Sequence, residues 1–155
     1  MSLTLWRVVK HRYRSEAMTG EGTRIHGGRW SSPGLPIIYL SQHLSLAILE
    51  ILVHTERTAM LSGYDQVSLM LQENQIQGVA HIALPDNWNA PFPASELQTI
   101  GDNWFKEGTT VALEVPSAIL PQEKNYLINP EHKDFFKPQI SAPETIALDP
   151  RLFVS

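Results

Sequence analysis

The sequence contains no cysteine. That excludes disulfide staples and thiolate metal sites, so the fold must rest on its own core. It is also compatible with a cytoplasmic location, which is the expectation here. Long apolar runs are missing too. The most apolar stretch, Ile37 to Val53, is interrupted by Ser41, Gln42, His43, Ser45 and Glu50 and is too broken to cross a membrane. The opening MSLTLWRVVKHRYRSE places no apolar segment ahead of its charges, which makes it a poor signal peptide. Nor is there a basic excess: the formal net charge is -4, which argues against a general nucleic-acid binder.

Several catalytic signatures are absent as well. No Gly-Lys-Ser/Thr follows GTRIHGGR, so that stretch fails as a phosphate-binding P-loop. No G-x-S-x-G elbow is present to anchor a hydrolase triad. His43, Glu50 and His54 lack the H-E-x-x-H spacing of a zinc helix, so no metal is expected.

What remains is a chain of 155 residues, 43% hydrophobic and 18% charged. That suits one soluble domain, residues 1–155, large enough to bury a core. The charge is uneven. Arg7, Lys10, Arg12, Arg14, Arg24 and Arg29 supply half of the 12 basic residues, opposed in that region by Glu16 and Glu21 alone. A basic segment on an acidic chain suggests either an anion site or a solvated basic face.

Pattern reading gives an alternation of short elements. LTLWRVV, PIIYL, YDQVSLMLQ, GVAHIALP and TTVALEVPSAIL read as strands, the last ending at Pro116. LSLAILEILVHTE reads as a helix with Ser41 as its N-cap. SELQTIGDNWFKEG reads as another, with a Ser95–Gln98 capping box and Gly108 as its stop. Residues 15–35 read as loop, and so does the tail from Asn125, apart from a short strand near TIALD. Strands and helices do not alternate strictly. The expected class is therefore α+β, with a mixed and mostly antiparallel sheet.

Two local features invite chemistry. In HGGRW, Arg29 follows two glycines just ahead of an apolar strand, where the backbone can pass close to a ligand. In LSLAILEILVH, apolar residues occupy most of the helix circumference, so a buried helix is expected. The narrow polar stripe of that helix carries Glu50, which either lines a cleft or simply faces water. Ser117, just after Pro116, reads locally as an ordinary turn residue. Trp30, Trp88 and Trp104 read as core rather than as base-stacking platforms.

Taken together, LWRVV, GGRWSSPGLPIIYLSQHLSLAILEILVH and GDNWFKEGTTVALEVPSAILPQEKNYLINPEH resemble the RES domain family. The family is named for an arginine, a glutamate and a serine, and the resemblance covers nearly the whole chain in order. Two positions depart from it: Ser31 stands where asparagine is usual, and Lys133 where proline often follows the histidine. The resemblance implies a fold similar to the ADP-ribosyltransferase toxins, and a toxin of a toxin–antitoxin pair that consumes NAD. It implies active-site roles for Arg29, Tyr39, Glu50 and Ser117, an NAD contact for Arg7, and a structural role for Asn125 and Asn129. It further implies a DNA-binding antitoxin of the Xre type that masks the site, and a toxin homodimer within the complex.

Local chemistry agrees with these roles. Arg7 and Arg29 suit a pyrophosphate. Tyr39 suits a nicotinamide ring and a ribose hydroxyl, and Glu50 suits a cationic ribose. The acceptor stays open among water, inorganic phosphate and a protein side chain. A non-catalytic nucleotide-binding partner of an antitoxin is the reading from another class. A ribonuclease is disfavoured by the acidic charge, and neither nucleic acid nor membrane is expected as a direct partner.

Overall fold

The computed structural model describes residues 1–54, 63–79 and 84–153. Strand β1 (Ser2–Lys10) leads through a 3-10 turn to helix α1 (Glu21–His26), β2 (Ile38–Ser41), α2 (Leu44–Leu52) and β3 (Tyr64–Gln72). Then follow β4 (Ile76–Gly78), α3 (Ser95–Glu107), β5 (Ala112–Pro116), β6 (Lys124–Ile128) and β7 (Glu144–Ile146). Among the described residues the strands form one sheet in the order β4-β5-β6-β2-β1-β3-β7. Every pairing is antiparallel except β4 with β5. That parallel pair is joined by the crossover containing α3, as a parallel connection requires. The α+β class with a mixed, mostly antiparallel sheet is thus observed.

Alternation sorts the side chains onto two faces. Leu5, Ile38, Leu40, Leu69, Leu71, Ala112, Tyr126 and Ile128 share one core, covered by Met18, Phe135 and Ile140. On the other face Leu113, Val115 and Leu127 pack against Trp30 and against Leu97 and Trp104 of α3. Beside them Val8 and Trp6 of β1 pack against Ala47 and Ile48 of α2. The two larger helices therefore lie on the same face. A fully buried leucine here, such as Leu40, Leu69 or Leu127, contributes about 1.5–3 kcal/mol.

Several local expectations are corrected. Residues 21–26 form a short helix, flanked by Gly20 at φ 75 and Gly27 at φ 71. The tail holds β6, which is central, with Tyr126, Leu127 and Ile128 all buried. Burial on both faces removed the alternation that would mark it as a strand. Ser41 does not cap α2; it closes β2, and His43 occupies the N-cap with no side-chain cap bond. Ala94, not Ser95, is the N-cap of α3. The C-terminal stop at Gly108 is observed, with φ 63 and its N–H on the Trp104 carbonyl. Helix α2 is not enclosed all round: Leu49 is 38% and Val53 56% exposed. The expected strand Gly78–Pro85 is β-structure only to Gly78, and 80–83 lie outside the described residues. The expected helix end at 55–56 lies outside them as well.

Candidate active site

Glu50 projects from α2 toward the strand ends. Its Oε1 accepts the Ser117 hydroxyl at 3.0 Å and the Asn125 side-chain amide at 2.6 Å. Ser117 is fully buried just beyond β5, and its Oγ also accepts the N–H groups of Ile119 and Leu120 at 3.2 and 3.1 Å. Asn125 belongs to β6, and its Oδ1 accepts the Ser41 hydroxyl at 2.9 Å. The register explains the meeting, because Ser41 and Asn125 are direct cross-strand partners. Glu50 stays partly exposed, and among the described residues its Oε2 accepts no hydrogen bond. A carboxylate fixed through one oxygen and open at the other can face a developing cation.

A second cluster holds the glycine loop. The Tyr39 hydroxyl accepts the Trp30 N–H at 3.1 Å and lies 2.8 Å from the Ser31 hydroxyl. Desolvation pushes the Tyr39 phenol up to about 12. A Cβ on Gly28 would meet the Tyr39 hydroxyl oxygen at 2.7 Å and the ring at 2.8 Å. The open side of this glycine is thus filled by Tyr39, where close approach to a phosphate was expected. Likewise the Tyr39 hydroxyl, expected on a ribose, is engaged by the loop. Helix α3 holds the loop from below: Gln98 Nε2 donates to the Gly28 and Ser31 carbonyls at 3.2 and 3.3 Å. Asp102 accepts the Ser32 N–H at 2.9 Å. Gly101 is so close that a Cβ would sit 1.7 Å from the Trp30 carbonyl oxygen. Gln98 therefore serves this tertiary contact, and the expected capping box gives way to it.

The loop aims Arg29. One terminal nitrogen donates to the Trp88 and Ala90 carbonyls at 3.1 and 2.8 Å. Partial burial lowers the affinity of Arg29 for its proton, and the charges of Glu50 and Tyr39 oppose that shift. Arg29 thus feels both Glu50 and Tyr39, while Ser117 joins the group through its bond to Glu50. Arg7 stands apart. It sits where β1 and β2 part company, since these strands share one register pair against nine for β1 and β3. Its Nη1 donates to the Tyr39 carbonyl at 3.3 Å, and its buried Nε has no partner among the described residues. Arg7 keeps some exposed surface, yet desolvation lowers it to about 10. It remains a cation at neutral pH. His43 and His54 are exposed, and among the described residues no group of three or more His, Asp or Glu converges to hold a metal.

The RES domain model matches residues 4–149. The chain belongs to the RES domain family. Among its relatives is the protein named Toxin Res of Photorhabdus laumondii, 39% identical over 135 residues that span 87% of this chain and 86% of that one. A Sphingobium protein named Prs ADP-ribosylating toxin is 33% identical over 141 residues, 86% of each. In fold the chain is similar to a chain of the crystal structure of the M. tuberculosis MbcT–MbcA toxin–antitoxin complex. The TM-score is 0.77 at 19% identity, covering 99% of this chain and 87% of that one.

In this RES chain the motif residues Glu50 and Tyr39 each lie in electrostatic reach of Arg29, with Ser117 bonded to Glu50. Sequence alone carries no functional signal for Ser41, Gln98, Gly101 or Asp102, marks Ser31 only as a departure from the family pattern, and gives Asn125 a structural role. Two structural signals are present: a polar asparagine inside the apolar KNYLI run, and a glycine inside a helix, which marks close backbone approach.

Proposed function

We propose that this chain is the toxin of a toxin–antitoxin pair and that it cleaves the nicotinamide–ribose bond of NAD. The single observation that carries the reading is the Glu50 carboxylate, fixed through Oε1 and open at Oε2, within charge reach of Arg29. The names of the relatives support it: Toxin Res for one and an ADP-ribosylating toxin for another.

In this mechanism Arg29 and Arg7 take the pyrophosphate through charge-assisted hydrogen bonds. Arg7 is suited to an anion because it is desolvated and has no counter-charge among the described residues. The bond from ribose C1′ to the nicotinamide nitrogen breaks, and its electron pair leaves with nicotinamide. The cationic ribose is stabilised by Glu50, which also holds a ribose hydroxyl. Ser117 holds Glu50 in place, and Tyr39 holds the Arg29 loop. An acceptor oxygen then bonds to C1′ and loses its proton.

Water gives hydrolysis, inorganic phosphate gives phosphorolysis, and a protein side chain gives ADP-ribosylation. The ADP-ribosylating name of the Sphingobium relative favours the last. The partner is a DNA-binding antitoxin of the Xre type that masks this face, with the toxin present as a homodimer in a cytoplasmic complex. The MbcT–MbcA assembly is a toxin–antitoxin complex of the same fold. No described helix is long and apolar enough to cross a membrane.

The test is incubation of the antitoxin-free chain with NAD, with and without phosphate, followed by product identification. Released nicotinamide is expected in every catalytic case. Free ADP-ribose, its phosphate ester and protein-bound ADP-ribose identify the three acceptors. NAD that stays intact under all conditions defeats the enzyme reading in favour of a nucleotide-binding partner.

A further inference from the structure

We propose that Asn125 is a positioning residue that, with Ser117, makes Glu50 Oε1 a fixed acceptor and reserves Oε2 for the ligand, while Ser41 braces the Asn125 amide through its oxygen. The argument is one of donor direction. A serine hydroxyl has one proton and two acceptor positions. The Ser117 oxygen already receives two backbone N–H groups, from Ile119 and Leu120. Its proton must therefore go to Glu50. Asn125 offers either an oxygen or an NH2 to whatever faces it. Glu50, an acceptor only when ionised, takes the NH2, and the amide oxygen is left to accept the hydroxyl of Ser41, which is 96% buried.

Each bond thus has one sense, and both senses end on Oε1. Donation runs from Ser41 to Asn125 to Glu50 on one side. On the other it runs from the 119–120 backbone to Ser117 to Glu50. An oxygen receiving two donors has no proton of its own to give. The carboxylate is then inequivalent by construction: one oxygen is anchored and the other acts. The same bookkeeping explains why buried Ser117 is no nucleophile, because its proton and its lone pairs are all engaged.

The kinetic arm of the test rests on the NAD-cleaving reading, and the stability arm does not. Asn125→Ala should lower the single-turnover rate of NAD cleavage about 10–100-fold, with NAD affinity changed less than about threefold. Asn125→Asp should lose at least as much, since it sets a second carboxylate beside the first. Ser41→Ala, which only removes the brace, should cost several-fold less than Asn125→Ala. In a Glu50→Gln background, Asn125→Ala should add almost nothing to the rate loss. Full additivity, or an affinity loss as large as the rate loss, overturns the proposal.

For stability a second cycle pairs Asn125→Ala with Glu50→Ala, which removes the acceptor itself, and its four proteins are melted. Coupled side chains give a double variant whose Tm falls well short of the sum of the single losses. Additive Tm shifts overturn the proposal even if wild-type protein leaves NAD intact. Coupled shifts sustain the Asn125–Glu50 assignment in that same case. A rate loss without coupling in either arm leaves NAD cleavage standing and removes Asn125 from it.

Discussion

Two polar clusters lie on the helical face of the sheet, one around the Tyr39 hydroxyl and one around the Glu50 carboxylate. They differ in what is left over. At Tyr39 the groups are matched: a neutral phenol accepts one backbone N–H and shares a hydrogen bond with the Ser31 hydroxyl, and the loop it holds is also gripped by Gln98 and Asp102. At Glu50 both donors converge on one oxygen, and the charge is not cancelled by them. The first arrangement is a scaffold, because satisfied groups rigidify. The second retains an open acceptor, which is what a cationic intermediate needs. The comparison teaches that the hydroxyl of a motif residue such as Tyr39 can be committed to holding a loop.

The largest effect is expected where the open acceptor is altered. Glu50→Gln keeps the shape but removes the charge. Single-turnover cleavage of NAD should fall by about 10²–10³, while NAD affinity and Tm change little. Rapid-quench kinetics beside a binding titration would check this, and wild-type turnover would reduce Glu50 to a surface polar residue. Arg29→Ala should show the reverse emphasis, with affinity hit first, because its proposed role is to hold phosphates.

Next comes a break in the scaffold without touching any polar group. Gly101→Ala would drive a methyl group against the Trp30 carbonyl at 1.7 Å. Backbone cannot swing aside as a side chain can, so α3 must part from the loop. The expected loss is about 3 kcal/mol in denaturant unfolding. If Gly101→Ala unfolds like wild type, the helix is not seated on the loop as described.

Tyr39→Phe is expected to be milder, about 1–2 kcal/mol at neutral pH, since the Trp30 N–H loses its acceptor and the Ser31 hydroxyl loses its partner. It also carries a pH signature. The ordinary phenol value is 10.0, and burial raises Tyr39 to about 12. Between those values the folded protein keeps a proton that the unfolded chain has released. The Tyr39 contribution is therefore complete below about pH 10 and lost as the pH rises through about 12. Urea midpoints from about pH 8 to about pH 11 should decline less steeply for Tyr39→Phe than for wild type. Parallel slopes would show that the phenol does not titrate with unfolding.

The sequence made legible those parts whose signal is local or periodic. Alternating Val67, Leu69 and Leu71 marked β3, and all three are buried as that pattern demands. Pro116 and Gly108 marked the ends of β5 and α3. Family resemblance alone implies that Ser117 belongs with Glu50 in one site, because nothing local distinguishes Ser117 from a turn residue, and their direct bond is legible only in the structure. The misses share one physical cause. Ser41, Ser95 and Gln98 look like caps when only neighbours in sequence are considered. Ser41 and Gln98 instead bond across the fold, to Asn125 and to the 28–31 loop, while Ser95 gives way to Ala94 as the cap. Likewise β6 carries no alternation because both of its faces are covered. The Glu50 stripe of α2 gave no warning that Leu49 and Val53 on the same helix would stay exposed.

The donors that fix Glu50 come from far along the chain. Glu50 lies 67 residues from Ser117 and 75 from Asn125, and Ser41 lies 84 from Asn125. Synthesis proceeds from the N-terminus, so the arginines, Tyr39 and the carboxylate emerge first and wait. A nascent chain arrested before Ser117 carries the acid but neither of its side-chain donors, and β6 is not yet available to bring Asn125 beside Ser41. Long-range closures of this kind also come late in folding. The order of translation thus delays the finished Glu50 arrangement until β5 and β6 have left the ribosome.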